Sequence, residues 1–402
     1  MTVDTPHTPQ EVAELIAAAL AADEPLEIIG RGGRRALGRP VVAERVLDVS
    51  SLSGISLYEP EELVLTAAAG TPLAEIEAAL AEKGQMPAFE PPDFSRLLGG
   101  AGQGRGTLGG MFAAGLSGPR RIRAGAVRDH VLGFAGVTGR AEIFKSGGRV
   151  MKNVTGFDLS KLMCGSWGTL AVLTELTFKV LPAPETVATL IFHGLDARRA
   201  VRLMTLAMRA PAEVSGAAHL PGGVGGKEDR TCIRVEGFAP SVAARMEMLK
   251  GLLAEFGTPE VVEETGSRAL WKEVRDVVPL ADDREAFVWR ICCPPTQGGE
   301  VAEALREMIP ESRLFLDWAG GLIWLAVPPS AHAAAELVRG AISGCGGHAM
   351  LFRAPEDVRR RLPVFHPQPE PLAEVTARIR AAFDPRDILN PGRMHPSEKR
   401  EG

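Results

Sequence analysis

The segment "VAELIAAAL" (12–20) carries apolar residues at helical spacing, and Thr8-Pro9-Gln10-Glu11 opens it. Threonine can cap, proline suits the first turn, and Glu11 stands where a capping box wants a carboxylate. "PLEIIG" (25–30) then reads as a buried strand running into a glycine loop, and "RVLDVS", "GISLYEP" and "ELVLTAAAG" as further short strands. Thr71-Pro72 is the expected cap of a second helix, "PLAEIEAALAEKG". "DHVLGFAGVTGRAEIF" predicts a hairpin turning at Thr138-Gly139, and "TLAVLTELTFKVL" predicts a long strand. From Thr186 glycine clusters thin out, and strands alternate with amphipathic helices. The clearest run is strand "AFVWRICC", helix "EVAEALREMI", strands "SRLFLDW" and "GLIWLAV", helix "AHAAAELVRGAI" and strand "GHAMLF". That βαββαβ order is the ferredoxin-like pattern, and a looser copy runs from Thr186 to about Glu263. A helix, "PLAEVTARIRAAF", and the turn-rich "DPRDILNPGRMHP" close the pattern.

With 402 residues the chain is too long for one small core. "PAPE" (182–185) is the best linker. The expected divisions are 1–183, 184–365 and a closing segment 366–402. A net charge of −5 carries no global polyanion-binding signature. The charge is uneven, however. Nine Lys/Arg stand against two acids between Arg105 and Lys152, and "GRGGRRALGR" (30–39) has four arginines and no acid. Basic patches that coincide with glycine clusters suit a bound anion; a nucleic-acid track would also want exposed aromatics, and the chain has one Tyr and five Trp. "MTVDTPHTPQ" lacks the features of a signal peptide, and no apolar run approaches the ~20 residues of a membrane span. The expected location is cytoplasmic, with any membrane contact peripheral. Five cysteines without CxxC spacing argue against a zinc or iron–sulfur site in this chain and read as reduced structural thiols.

Three phosphate-binding templates bear on these glycine clusters. No GxxxxGK[ST] string occurs. A GxGxxG does occur at Gly104, Gly106 and Gly109, but the Pro-Pro that precedes it opposes the βαβ geometry of a dinucleotide fingerprint. The third template is a cradle of separate loops. "IIGRGGRRALG" (28–38) puts backbone N–H groups and arginines just after a strand, where Gly30, Gly32 and Gly33 allow the turn of an anion nest. Thr107, Leu108, Gly109 and Gly110 offer a second nest, and "CGSWGTLAVLTE" (164–175) a third glycine turn. Taken singly each loop is equally a tight turn. Taken together, with basic flanks, they point to a pyrophosphate.

Several longer strings carry a resemblance: "EPPDF" (90–94), "TLGGMFAAGLSGPRR" (107–121), "VRDHVLG" (127–133), "GGRVMKNVTGFDLSKLMCGSWGTLAVLTE" (147–175), "DWAGGLIWL" (317–325), "GGHA" (346–349) and "DILNPGRM" (387–394). They resemble the FAD-binding subunits of bacterial glycolate oxidase, within the vanillyl-alcohol-oxidase/PCMH-type flavoprotein superfamily. The resemblance implies an α+β fold: a PCMH-type FAD-binding domain of two subdomains, a ferredoxin-like antiparallel cap, and a tail that returns to the FAD domain. It implies that Gly30, Arg31, Gly32, Gly33, Arg34 and residues 107–110 hold the FAD pyrophosphate. Gly118, Gly165, Ser166, Gly168 and Val172 would line the cofactor cavity, with Asp93 and Asp129 beside it. Lys152 and Asn153 match a pattern near the isoalloxazine, where a cation stabilises reduced flavin. The implied partners are a homologous FAD-linked catalytic subunit and an iron–sulfur subunit, and the implied reaction is glycolate to glyoxylate.

The chain departs from this pattern in three places. Residues 99–105 lengthen the loop before Thr107. The first glycine loop has no histidine, so non-covalent FAD is expected. No HxGDGN-type segment is present, the element that supplies a metal or base in single-chain relatives, and no metal site is expected. Oxidising a 2-hydroxy acid needs a base, a cation for the carboxylate and a hydride acceptor. His348 is the best base candidate, and Arg393 or the pair Arg120/Arg121 is the candidate carboxylate partner. Two other readings stay open: a self-sufficient dehydrogenase of another small 2-hydroxy acid, and a non-redox assembly subunit.

Overall fold

The computed structural model of the chain describes residues 2–100, 105–148 and 157–397. Helix α1 (Pro9–Ala22) begins as its sequence predicts. Thr8 Oγ1 accepts from the Glu11 N–H at 3.1 Å, and the Glu11 carboxylate reaches back to the His7 N–H at 2.7 Å. Its buried stripe, Val12, Ile16 and Ala19, packs with Leu26 and Leu47 of a small parallel sheet. That sheet holds β1 (Thr2–Asp4), β2 (Leu26–Ile29) and β3 (Arg45–Asp48) in the order β1-β3-β2.

A second, antiparallel sheet holds β4 (Ile55–Glu59), β5 (Val64–Ala68), β6 (Val131–Thr138), β7 (Ile143–Gly147) and β8 (Ala171–Lys179), ordered β4-β5-β8-β6-β7. The expected hairpin is the β6–β7 pair. Strand β8 lies third of the five, and Glu175 is its one exposed position. Helices α2 (Leu73–Ala81) and α3 (Leu108–Ala114) share a core with this sheet. The cap expected at Thr71 is not made. Its hydroxyl donates to the Ala68 carbonyl at 2.7 Å and accepts from the Gly54 N–H at 2.9 Å, so it ties two loops together instead.

The rest of the chain builds one eight-stranded antiparallel sheet. Its first half comprises β9 (Thr186–His193), α4 (Ala197–Arg209), β10 (Gly216–Leu220), β11 (Arg230–Gly237), α5 (Ala239–Leu252) and β12 (Glu260–Glu263). After α6 (Glu264–Arg275), the second comprises β13 (Phe287–Cys292), α7 (Gly298–Met308), β14 (Arg313–Asp317), β15 (Leu322–Val327), α8 (Ala335–Ser343) and β16 (His348–Arg353). The strand order is β12-β9-β11-β10-β14-β15-β13-β16. Each half therefore reads fourth, first, third, second, the ferredoxin-like arrangement. The halves meet edge to edge where His219 of β10 pairs with Leu316 of β14.

Two features lock these parts together. Leu37, Phe94, Leu97 and Leu116 insert into the core of the eight-stranded sheet, with the Phe94 ring 4.8 Å from Phe352 and 5.8 Å from Trp324. Beside them, Arg234 contacts Glu90 at 2.9 Å, and Arg120 contacts Glu236 at 2.5 Å and Glu90 at 3.2 Å. Burial alone would raise the Glu90 carboxyl, but the two arginines outweigh it and hold the group down at about 2. Helix α9 (Glu370–Phe383) leads the chain back to the first sheet. There the Leu26 N–H donates to the Ile388 carbonyl at 2.8 Å and the Asn390 N–H to the Leu26 carbonyl at 2.9 Å.

Candidate cofactor site

The glycine loop after β2 and the segment before α3 close on each other. A Cβ on Gly30 would stand 2.6 Å from Thr107 Oγ1, and one on Gly109 would stand 2.8 Å from the Ala69 Cβ, so neither position has room for a side chain. The cleft between them is lined by Gly30, Arg31, Gly32, Gly33, Arg34, Thr107, Gly109, Gly110 and Gly168. Its apolar wall is Ala69, Ala113, Ala171 and Leu173, with Trp167 at one end.

The polar end lies at residues 31–34. Among the described residues nothing accepts a hydrogen bond from the N–H groups of Arg31, Gly32, Gly33 or Arg34. Gly32 turns the loop with a φ of 70°. Arg34 gives one guanidinium nitrogen to the Arg105 carbonyl at 3.3 Å, while its buried Nε has no partner. Burial lowers this guanidinium to about 10; Asp93 opposes that and Arg105 adds to it. Unpartnered backbone donors and an unsatisfied buried cation are the complement of a phosphate anion. The apolar wall of Ala69, Ala113, Ala171 and Leu173 suits an aromatic ring system. The site therefore fits FAD, a dinucleotide with both.

Other expected residues sit differently. The segment at Thr107 is no open nest. Leu108 N–H donates to Thr71, Gly109 N–H to Ala69 and Gly110 N–H to Thr107 Oγ1, because Thr107 caps α3; the segment contributes shape, and the donors come from the first loop. The Leu108 side chain is in the core. Val172 faces away from the cleft into the core beneath α1, and strand alternation turns its neighbours Ala171 and Leu173 inward instead. Gly165 and Ser166 form the turn that precedes Trp167 and Gly168. Asp93 accepts from the Ser95 N–H at 2.9 Å, and Asp129 from the Ala126 N–H at 2.8 Å, so both fix local turns. Gly118 lies where the two parts meet, its carbonyl accepting from Trp318 Nε1 at 3.1 Å. Lys152 and Asn153 lie outside the described residues.

Arg393, expected to receive a substrate carboxylate, serves the cradle. Its guanidinium is buried and donates to the Leu37 carbonyl at 2.8 Å, the Arg35 carbonyl at 3.1 Å and Glu27 at 3.2 Å. Burial lowers it to about 10, with Glu27 acting in the opposite sense. Arg120 is likewise committed, to Glu90 and Glu236. Arg121 has no such carboxylate among the described residues. His348 opens β16, exposed and opposite Cys292 of β13. The sequence reading missed Asn390. Its Oδ1 accepts from the Ile28 N–H at 2.8 Å and its Nδ2 donates to the Trp167 carbonyl at 2.9 Å, joining the first loop to the third. The only signal was its place in "DILNPGRM".

Fold and cleft together define a protein built to bind FAD, and comparison with known proteins agrees. Residues 2–147 match the FAD binding domain family. The solved structure of p-cresol methylhydroxylase with substrate bound superposes with a TM-score of 0.70 at 12% identity, covering 100% of this chain and 90% of that one. The glycolate oxidase subunit GlcE of Escherichia coli K12 is 35% identical over 386 residues, 96% of this chain and 97% of that protein. The subunit GlcD of Bacillus subtilis 168 is 30% identical over 200 residues, 48% of this chain and 40% of that protein. The chain belongs to the GlcE family of glycolate oxidase subunits, among the FAD-dependent 2-hydroxy-acid oxidoreductases.

Proposed function

We propose that this chain is the FAD-binding subunit of an assembly that oxidises glycolate to glyoxylate, working beside a homologous FAD-linked catalytic subunit and an iron–sulfur subunit. The observation that carries the reading is 35% identity over nearly the full length to a glycolate oxidase subunit, joined to a cleft whose buried Arg34 and unpartnered N–H groups suit a pyrophosphate. Among the described residues no helix is long and apolar enough to cross a membrane. The chain is cytoplasmic in this reading, and any membrane contact is peripheral and made through partners. FAD is held without a covalent bond. When bound, FAD supplies a two-electron acceptor. On this chain residues 31–34 neutralise the pyrophosphate and the small-residue wall excludes water, and once partner subunits complete the assembly His348 takes the substrate hydroxyl proton.

The test is a visible spectrum of the purified chain, before and after anaerobic addition of glycolate or D-lactate. A yellow protein that bleaches only when partner subunits are added supports the proposal. Bleaching of the chain alone would make it a self-sufficient dehydrogenase, and a colourless chain would leave only an assembly role.

A further inference from the structure

Arg121 and Arg290 come from different parts of the molecule and meet at one ring. The Arg121 guanidinium carbon lies 4.3 Å from the Trp318 ring centroid and that of Arg290 lies 5.1 Å from it. The ring is fixed from several sides. Trp318 Nε1 donates to the Gly118 carbonyl at 3.1 Å, and its backbone N–H to Asp317 at 2.7 Å. Trp318 and Ala319 both hold positive φ, 52° and 56°, a conformation that surrounding contacts must enforce on residues other than glycine.

Neighbouring Arg120 has two carboxylate partners. Among the described residues Arg121 and Arg290 have none; Arg290 reaches only the Cys292 Sγ, at 3.3 Å. His348 stands across the strand pair from Cys292. Burial lowers the Arg121 guanidinium, and Arg290 lowers it further by repulsion. The Cys292 thiol records the same field. Burial would raise it, yet Arg290, His348 and Arg121 draw it down to about 7. A half-buried thiol that ionises near neutrality marks a space where negative charge is favoured. Two guanidinia pressed to one ring repel each other until an anion joins them, and a planar carboxylate suits the guanidinium fork.

We infer that Arg121 and Arg290, held against Trp318, form the carboxylate anchor for a small 2-hydroxy acid, with His348 beside them. The hydroxy-acid identity of the ligand rests on the function proposed above; the anchor itself rests on the cation pair.

Calorimetric titration of the full FAD-loaded chain tests this with acetate, glycolate and glycolamide at constant ionic strength. Acetate and glycolate should bind, and glycolamide, which keeps the hydroxyl and lacks the charge, at least tenfold more weakly. Arg121→Gln and Arg290→Gln should each weaken acetate tenfold or more, about 1.4 kcal/mol. The Lys variants, which keep charge and lose the fork, should fall between and stand in if a Gln variant does not fold. Acetate should also slow iodoacetamide modification of Cys292, read on its own peptide, in the wild type and not in the Gln variants. Wild-type acetate affinity in both Gln variants, equal binding of glycolamide, or no carboxylate binding to the wild type would overturn the anchor. Failure of the redox reading looks different: acetate binds through the arginines while glycolate never reduces the flavin, even with partner subunits. The converse sinks the anchor alone: glycolate reduces the flavin with unchanged half-saturation in both Gln variants.

Discussion

Asp317 and Cys292 flank Leu322 on adjacent strands, and burial pushes both toward their neutral forms. For Cys292 the two arginines, Arg290 and Arg121, with His348, overturn that effect. For Asp317 burial prevails: the carboxyl is driven up to about 7, although the Trp318 N–H, Arg234 and Arg290 oppose the rise. A carboxyl with a higher pKa folded than unfolded binds more protons in the folded state, so stability falls as pH rises from about 3.8 to about 7 and stays lowered above that. Asp317→Asn keeps an acceptor for the Trp318 N–H and removes the charge. It should raise stability by on the order of 4 kcal/mol at pH 8, and the gain should vanish below pH 4. Denaturant melts at the two pH values check this; an equal effect at both would mean that the ionised carboxylate is not the cost. At Gly30 the constraint is steric. Gly30→Val would drive Thr107 out of the cleft wall, and the purified variant should lose its flavin absorbance while its far-ultraviolet circular dichroism stays native.

At the scale of elements, the two parts of the molecule are joined by charge as well as by apolar packing. Glu90 stands between Arg120 and Arg234 with its side chain mostly buried. Glu90→Gln leaves two buried guanidinia short of one carboxylate, which typically costs about 3–5 kcal/mol. The loss should appear as a lower midpoint in urea at pH 7. The difference from wild type should shrink as pH falls below about 4.5 toward about 2, because a carboxyl depressed in the folded state gives up its contribution over that window. None of this pairing is legible in "EPPDF" or "SGPRR", because Glu90 and Arg120 lie 30 residues apart and their further partners, Arg234 and Glu236, more than a hundred residues away. Local order is another matter. The alternation of strand and helix from Thr186 exposes both ferredoxin-like halves, since each is built from neighbours in sequence. The glycine loops are equally visible, and two of them meet at the cleft. What the loops do individually is not: whether an N–H is free depends on Ala69 and Thr71, which no motif connects to Gly109 and Leu108. Choosing Val172 over Ala171 and Leu173 required the register of β8 against α1, again a long-range fact.

On the scale of the whole molecule, the cofactor cleft depends on residues from opposite ends of the chain. Asn390 holds Ile28 and Trp167 at once, and Arg393 ties Leu37, Arg35 and Glu27 together, so the first loop is shaped by the tail. Among the described residues, the eight-stranded sheet takes no strand from the tail, and its core draws on the last residues before α9, such as Val364, but on nothing beyond them. Ending the chain after Phe383 should therefore separate two properties that travel together in the intact protein. The apolar cluster of α1 would lose Ile388 and Leu389, and the buried Glu27 would lose its Arg393 partner. The expected truncated protein binds no flavin and unfolds in two steps, the first at lower denaturant, where the intact chain is expected to unfold in one. Asn390→Ala is the finer cut. It removes both side-chain hydrogen bonds from a buried position, at about 1–3 kcal/mol for the groups left unpaired. FAD affinity should fall while the tryptophan fluorescence of the eight-stranded sheet, which carries Trp289 and Trp324, keeps its native melt. A variant that retains FAD at wild-type affinity would mean that the first loop holds its shape without the tail.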